Sequence, residues 1–393
     1  MDKAEKMTIS RNPYHRLFPH LLAMLIGGLA FASVHAQELL VGQVASRTNV
    51  LTGPNARGLH LGMKTYFDHV NAQGGVNGQQ VKILIGDDDL NAGKMVDLTK
   101  EFIANKEVLA LVGYLNTAGI VALSKQDIPG KSGIALVSPQ AGDKGIFGAA
   151  NFFPFRSGFP DEVAAIIKHA SDTQKKKLAV VHWSVTFGPS LAKQAEDLAK
   201  KAGLNAVSVK IDEAANDKFD AAIQQAVEAV VKEAPDAVLV VMASRYANEF
   251  IKRIKGSAVA GSQLYALSLV AIADIVKAAG ANGSRGIIVS QSLPFPFSAT
   301  LPIVGEYQRL MKQYAPGESL SYSTLEGFVA GKIVVEGLKR AGAKPTRDKV
   351  TKALNELGDF NLGGVYVNYS PSARLGWGGV DLTIIGENGK LLR

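Results

Sequence analysis

The chain has 393 residues, 47% hydrophobic and 20% charged, with a formal net charge of +8 and no cysteine. Such a composition suits a globular protein of about two domains. It excludes disulfide stapling and an N-terminal lipidated cysteine, so a sizeable core must supply the stability. The longest basic run, "KKK" at 175–177, sits directly before an apolar strand and reads as a solvated edge. A nucleic-acid surface would need basic residues interleaved with stacking aromatics.

The chain opens with Lys3, Lys6, Arg11 and Arg16, then the apolar stretch "LLAMLIGGLAFA" at 21–32, then "SVHA" with small residues at 34 and 36. That order is the order of a cleavable secretory leader, with cleavage expected after Ala36. The apolar stretch is shorter than the roughly 20 residues of a membrane-spanning helix. The leader holds four Lys/Arg and two Asp/Glu, so the mature chain would carry +6. A free protein in a periplasm-like compartment is expected.

Strand and helix signals then alternate. "VGQVAS" (41–46) reads as a strand, and Leu59, Met63, Phe67 and Val70 fall on one face of a helix. "NAQGGVNG" offers glycines where a helix must end in a left-handed residue, and "VKILI" (81–85) follows as a second strand. Strand, helix, turn, strand is a βαβ unit, the crossover that two parallel strands require. Further apolar strands fall at 108–113, 134–138, 178–183, 206–211, 236–242, 264–267 and 286–291. Helical segments alternate with them near 92–106, 117–126, 188–202, 218–233, 246–255 and 271–279. Strands apolar on both faces predict parallel sheets covered on both sides, and their number predicts two α/β lobes. The C-terminal part departs from the alternation, with helices at 302–314, 323–341 and 346–357 and strands at 365–369 and 380–386.

Enzyme motifs are weak. "GKS" at 130–132 lacks the glycine five residues upstream that a phosphate loop needs, and Lys125 stands there. "GGVNG" at 74–78 follows a helix and precedes a strand, the wrong order for a dinucleotide fingerprint. "SLAK" would give Ser190 and Lys193 as a hydrolase pair, but the companion S-D-N and K-T-G elements are missing. His60, His69, His169 and His182 show no zinc-ligand spacing, so neither metal nor cofactor is expected. Asp87, Asp88 and Asp89 end a strand. Neighbouring strand residues point to opposite faces, so the three would not converge on one ion and are expected to close the strand and start the next helix.

Ligands of open α/β sheets sit beyond the carboxyl ends of the strands. Two such ends stand out, "GYLNTAG" (113–119) with Thr117 and "SPQAG" (138–142) with Gln140. Free backbone N–H groups at these turns would form an anion pocket, at about 0.3–1 kcal/mol per helix terminus.

Taken in order, "VNAQGGVNGQQVKILIGDDD", "ALVGYLNTAG", "IALVSPQAG", "SYSTLEGFVAGKIVVEGLKRAG" and "GGVYVNYSPSARLGWGGVDLTIIGENGK" resemble the substrate-binding proteins of branched-chain-amino-acid-type ABC transporters, the Leu/Ile/Val-binding, type I periplasmic family. The resemblance covers nearly all of the mature chain. It implies two Rossmann-like lobes with parallel sheets, joined by three hinge crossings near 157, 290 and 378. Residues 37–157 with 291–378 would form one lobe, and 158–290 with 379–393 the other.

It also implies a periplasmic, non-enzymatic monomer that captures a small molecule between the lobes and hands it to an ABC permease, whose ATPase it does not touch. On this pattern Tyr114, Asn116 and Thr117 and the loop Gln140, Ala141 and Gly142 hold the ligand from one side. Phe187, Arg245, Tyr246 and Ser268 hold it from the other. A threonine is common where Gly142 stands, so one donor is missing. Ser268 and Leu269 occupy the region where an acid usually meets the ligand ammonium. That absence points to an aliphatic or aromatic acid, or an amide, paired with Arg245. The rival readings are a sensory module of the same fold and the Ser190/Lys193 hydrolase.

Overall fold

In β1 (Leu39–Val44) every residue is buried, the mark of a central parallel strand. The computed structural model describes residues 38–50, 52–184, 187–212, 218–242 and 244–393, so the leader expected at 1–36 lies outside the described residues. After β1, α1 (Gly53–Ala72) buries Leu59, Met63 and Phe67, each side chain contributing about 1.5–3 kcal/mol. The chain then turns at Gly75, whose φ is +79°. A Cβ there would lie 2.1 Å from Gln79 O, so glycine is required on two counts.

β2 (Val81–Gly86), α2 (Ala92–Ala104), β3 (Val108–Val112), α3 (Thr117–Lys125), α4 (Ile128–Ser132), β4 (Ala135–Val137) and β5 (Phe152–Phe153) complete the first half. Its sheet has the order β2-β1-β3-β4-β5 and is parallel throughout. The second half contains α5 (Phe159–Asp172), β6 (Lys177–Trp183), α6 (Gly188–Lys201), β7 (Asn205–Ile211), α7 (Phe219–Glu233), β8 (Ala237–Val241), α8 (Ser244–Ile254), β9 (Gln263–Ala266), α9 (Ile272–Ser284) and β10 (Ile288–Gln291).

The chain then returns to the first sheet through α10 (Pro302–Tyr314), α11 (Tyr322–Arg340) and α12 (Arg347–Asn355). A small antiparallel sheet of β11 (Gly358–Asn361), β12 (Tyr366–Tyr369) and β13 (Arg374–Leu375) follows. Finally β14 (Asp381–Ile385) and β15 (Leu391–Leu392) join the second sheet, whose order is β15-β14-β10-β9-β8-β6-β7. β14 runs antiparallel to β10, and the inner strands are parallel.

The fold is therefore α/β with two mainly parallel sheets. Each sheet carries apolar packing on both faces. On one face of the first sheet, α1 and α11 pack backbone to backbone: a Cβ on Gly62 would lie 1.9 Å from Thr324 O, and one on Gly327 1.9 Å from Leu59 O.

The chain passes between the sheets three times, and the passages are tied together. Arg156 donates from Nε and Nη2 to Ser292 Oγ, at 3.0 and 2.7 Å. Ser157 Oγ is shared between Trp377 O at 2.7 Å and Gly379 O at 2.8 Å. Trp377 N donates to Phe155 O at 2.7 Å.

Several strands lack a clear signal in the sequence. β5 has two residues, and β11 and β13 are short and half-exposed, so neither length nor alternation marks them, whereas β12 falls within the strand expected at 365–369. The helix expected at 117–126 ends at Lys125, and the separate short turn of α4 follows it.

Candidate functional site

A cavity of about 1510 Å³ opens between the carboxyl ends of the two sheets. Its walls include Leu115, Asn116, Thr117, Ala118 and Gln140 from the first half and Phe159, Trp183, Phe187, Ser268 and Leu269 from the second. Arg156, Ser292, Phe295, Phe297, Tyr322 and Glu326 line it from the passages and from α11.

The first wall is set by one buried acid. Asp88 is fully buried, and its two carboxylate oxygens accept from Ser46 Oγ and Asn116 Nδ2, each at 2.7 Å. Asn116 in turn caps α3, accepting from Gly119 N at 3.2 Å. Thr117 and Ala118 open that helix on the cavity side, where their N–H groups have no intrahelical acceptor. Asp88 thus ties together the ends of β1, β2 and β3, while Asp87 accepts from Thr48 N at 2.9 Å and Asp89 from Asn49 Nδ2 at 3.4 Å; the three aspartates serve the strand ends. They do not start the next helix, which is capped by Asn91 accepting from Lys94 N. Among the described residues there is no cluster of three or more metal-ligating side chains.

The floor is a polar cluster that the sequence did not reveal. Arg156 is held by Ser292 Oγ and by Ser268 Oγ, the latter at 2.5 Å. Behind it Glu162, fully buried, accepts from Ser268 N at 2.8 Å, Ser268 Oγ at 2.7 Å and Ser290 Oγ at 2.6 Å. Glu162 Oε1 stands 3.9 Å from Arg156 Nη2. On the other side Glu326 Oε1 stands 4.0 Å from Arg156 Nη1, and Glu326 Oε2 accepts from Gln140 Nε2 at 2.6 Å. Burial pushes both carboxyls above the ordinary glutamate value, against the pull of Arg156 and, at each, of hydrogen bonds.

Of the residues expected to hold a ligand, Asn116, Thr117, Gln140, Phe187 and Ser268 line the cavity. The other five do not. Tyr114 is buried on the far side of its strand end, with its hydroxyl 3.4 Å from Thr99 Oγ1. Ala141 packs into the core beside α3. At Gly142 a Cβ would lie 2.5 Å from the Phe159 ring, so the close approach of α5 leaves no room for a side-chain donor. Arg245 is exposed on α8, its guanidinium 3.9 Å above the Phe219 ring. Tyr246 packs edge-on behind Trp183, with ring centroids 5.7 Å apart.

Buried acids reach the neighbourhood of Ser268 and Leu269 from elsewhere in the chain. Glu162 stands directly behind Ser268, and Glu326 faces the cavity from α11. A buried acid in an otherwise apolar helix segment, "LEGFVAG", was the one available signal. Arg156 carried none.

"Leu/Ile/Val-binding protein homolog 7" of Brucella suis biovar 1 (strain 1330) is 24% identical over 201 residues, 48% of this chain and 49% of that protein. The chain thus spans about half the length of the curated relatives of this group. "Leu/Ile/Val-binding protein homolog 1" of Brucella abortus (strain 2308) is 24% identical over 359 residues, 86% of this chain and 89% of that protein. Among solved structures, an extracellular ligand-binding receptor from Verminephrobacter eiseniae ef01-2 superposes with a TM-score of 0.82 at 24% identity, covering 91% of this chain and all of that one. The family model described as "Periplasmic binding protein" matches residues 41–379, and the chain belongs to that family.

Proposed function

We propose that this protein is the exported solute-binding component of an ABC importer: it captures a small molecule in the inter-sheet cavity and delivers it to a membrane permease. The cavity itself carries the reading. It is walled by both halves of the chain and floored where the three passages meet, so a bound molecule touches both halves at once. A ligand that contacts both halves favours the closed arrangement by its differential contacts, and a permease can then read that arrangement. The Leu/Ile/Val-binding relatives support the transport reading and an amino-acid-like ligand. The leader-like N-terminus supports export to the periplasm.

Apolar walls suit this role. Trp183 and Phe187 stand 6.0 Å apart by ring centroid, and Phe187 lies 5.2 Å from Phe159 with the two rings tilted by 52°. Covering about 150 Å² of apolar ligand surface would contribute about 4 kcal/mol, half of the roughly 8 kcal/mol that micromolar binding requires. Polar contacts along the floor and at the start of α3 supply the rest.

Catalysis has no support at the one pair the sequence offered. Ser190 Oγ donates to Phe187 O within its own helix turn at 2.9 Å, and Lys193 pairs with Asp197 at 2.5 Å.

The test is thermal unfolding of the mature protein against amino acids, aliphatic and aromatic acids, amines and amides. A ligand at 100 times its dissociation constant stabilises by about 2.7 kcal/mol, a rise of several degrees. A panel in which nothing raises the midpoint would remove the small-molecule reading.

A further inference from the structure

Two acids and one guanidinium share the cavity floor, and the pairing is unequal. Arg156 commits Nε and Nη2 to the hydroxyls of Ser292 and Ser268, which fixes its plane. Glu162 receives three donors of its own and shares the Arg156 charge from behind. Glu326 is different. It is 1% exposed and lines the cavity, and its Oε1 has no hydrogen-bond partner. The nearest cation, Arg156 Nη1, is 4.0 Å away, beyond hydrogen-bond reach, and its one charge is shared with Glu162 at 3.9 Å. The other charged side chains of the wall, Lys125, Lys390 and Asp143, are not buried.

A buried carboxylate oxygen left without a donor is costly. Glu326 lines the cavity, so a donor can arrive from that side. A ligand carboxylate at this place would set a second acid beside one whose charge burial already disfavours, whereas a protonated nitrogen would supply the missing hydrogen bond and hold Glu326 ionised against its burial.

We infer that Glu326 is the specificity-determining residue of the cleft and receives a protonated nitrogen on the ligand, whose apolar body lies against Trp183 and Phe187. The inference rests on the reading of the cleft as a small-molecule site. It reverses the preference for an aliphatic or aromatic acid, or an amide, drawn from Ser268 and Leu269, because the acid that faces the ligand comes from α11.

Two isosteric sets test it at neutral pH: 3-phenylpropan-1-amine, 3-phenylpropanamide and 3-phenylpropanoate, and 4-methylpentan-1-amine, 4-methylpentanamide and 4-methylpentanoate. Each is titrated by calorimetry into the wild-type protein and into Glu326→Gln. In at least one set the amine binds at least tenfold tighter than the carboxylate, and Glu326→Gln weakens the amine at least tenfold while the carboxylate is unchanged or improved. A carboxylate that binds as tightly as its amine overturns the inference, as does an amine whose affinity ignores Glu326→Gln. Silence of all six overturns it too; the small-molecule reading then falls only if the wider thermal panel is also silent. Should Glu326→Gln fail to fold, the amine-to-carboxylate ratio in the wild type decides alone.

Discussion

The hydroxyl of Ser157 lies 2.7 Å from the carbonyl oxygen of Trp377, joining the first passage between the sheets to the third. The same proton is shared with Gly379 O at 2.8 Å. Ser157→Ala would leave both carbonyls without this donor in a buried place. Such a loss costs about 1 kcal/mol, which lowers the melting midpoint by about 2 °C in a protein of this size. Because the bond lies between passages and not in either core, ligand affinity should shift along with stability. Calorimetric titration beside thermal unfolding would show it, and an unchanged midpoint would remove the bond from the account.

Fluorescence separates the cavity from the rest of the molecule. The chain has two tryptophans, and Trp183 lines the cavity whereas Trp377 does not. Ligand binding should therefore alter the emission of the wild type and of Trp377→Phe, and leave Trp183→Phe nearly silent. A ligand signal that survives in Trp183→Phe and vanishes in Trp377→Phe would put the site elsewhere.

Two glycines in helices should respond in opposite directions. A Cβ at Gly327 would lie 1.9 Å from Leu59 O and 2.7 Å from Leu59 C, and backbone atoms cannot step aside as a side chain can. Gly327→Ala should destabilise by about 1–3 kcal/mol or more through overpacking, despite a gain in helix propensity of about 1 kcal/mol. At Gly305, in α10, the nearest atom to a Cβ is Ala299 Cβ at 3.7 Å, an ordinary contact. Gly305→Ala should therefore stabilise by about 0.5–1 kcal/mol. Denaturant unfolding of the pair checks both signs.

His60 gives a pH dependence with a defined sign. Burial, with help from Arg47 and Lys64 and against Asp68, lowers its imidazole to about 4. Its neutral ring donates from Nδ1 to Gln43 Oε1 at 3.0 Å, and Gln43 Nε2 donates to Gly113 O at 3.1 Å. The unfolded chain takes up this proton near pH 6.5 and the folded chain only near 4, so the unfolded state binds more protons between them. The His60 contribution is complete above about pH 6.5 and is lost as pH falls towards 4. The melting midpoint of His60→Gln should accordingly fall less than that of the wild type between pH 7 and 4.5. Parallel slopes would contradict the assignment.

The amino-acid sequence determined the α/β class, the order of strands and helices and the glycine turn after α1. These depend on local patterns: continuous apolar runs for strands buried on both faces, a 3.6-residue period for helices, and glycine where φ must be positive. It also located the two strand ends, at Asn116 and Gln140, that border the cavity. The short strands β5, β11 and β13 escaped because two to four residues carry too little pattern.

Only the tertiary structure decided which side chains face one another across the cleft. Gln140 and Glu326 are 186 residues apart in the chain yet bonded at 2.6 Å. Arg156 gave no local sign that it would sit between two buried glutamates, and Arg245 gave none that it would stack on Phe219 at the surface. Periodicity reports which face of an element is buried. It does not report what stands opposite, because the charge balance at the floor is a sum over segments that only folding brings together.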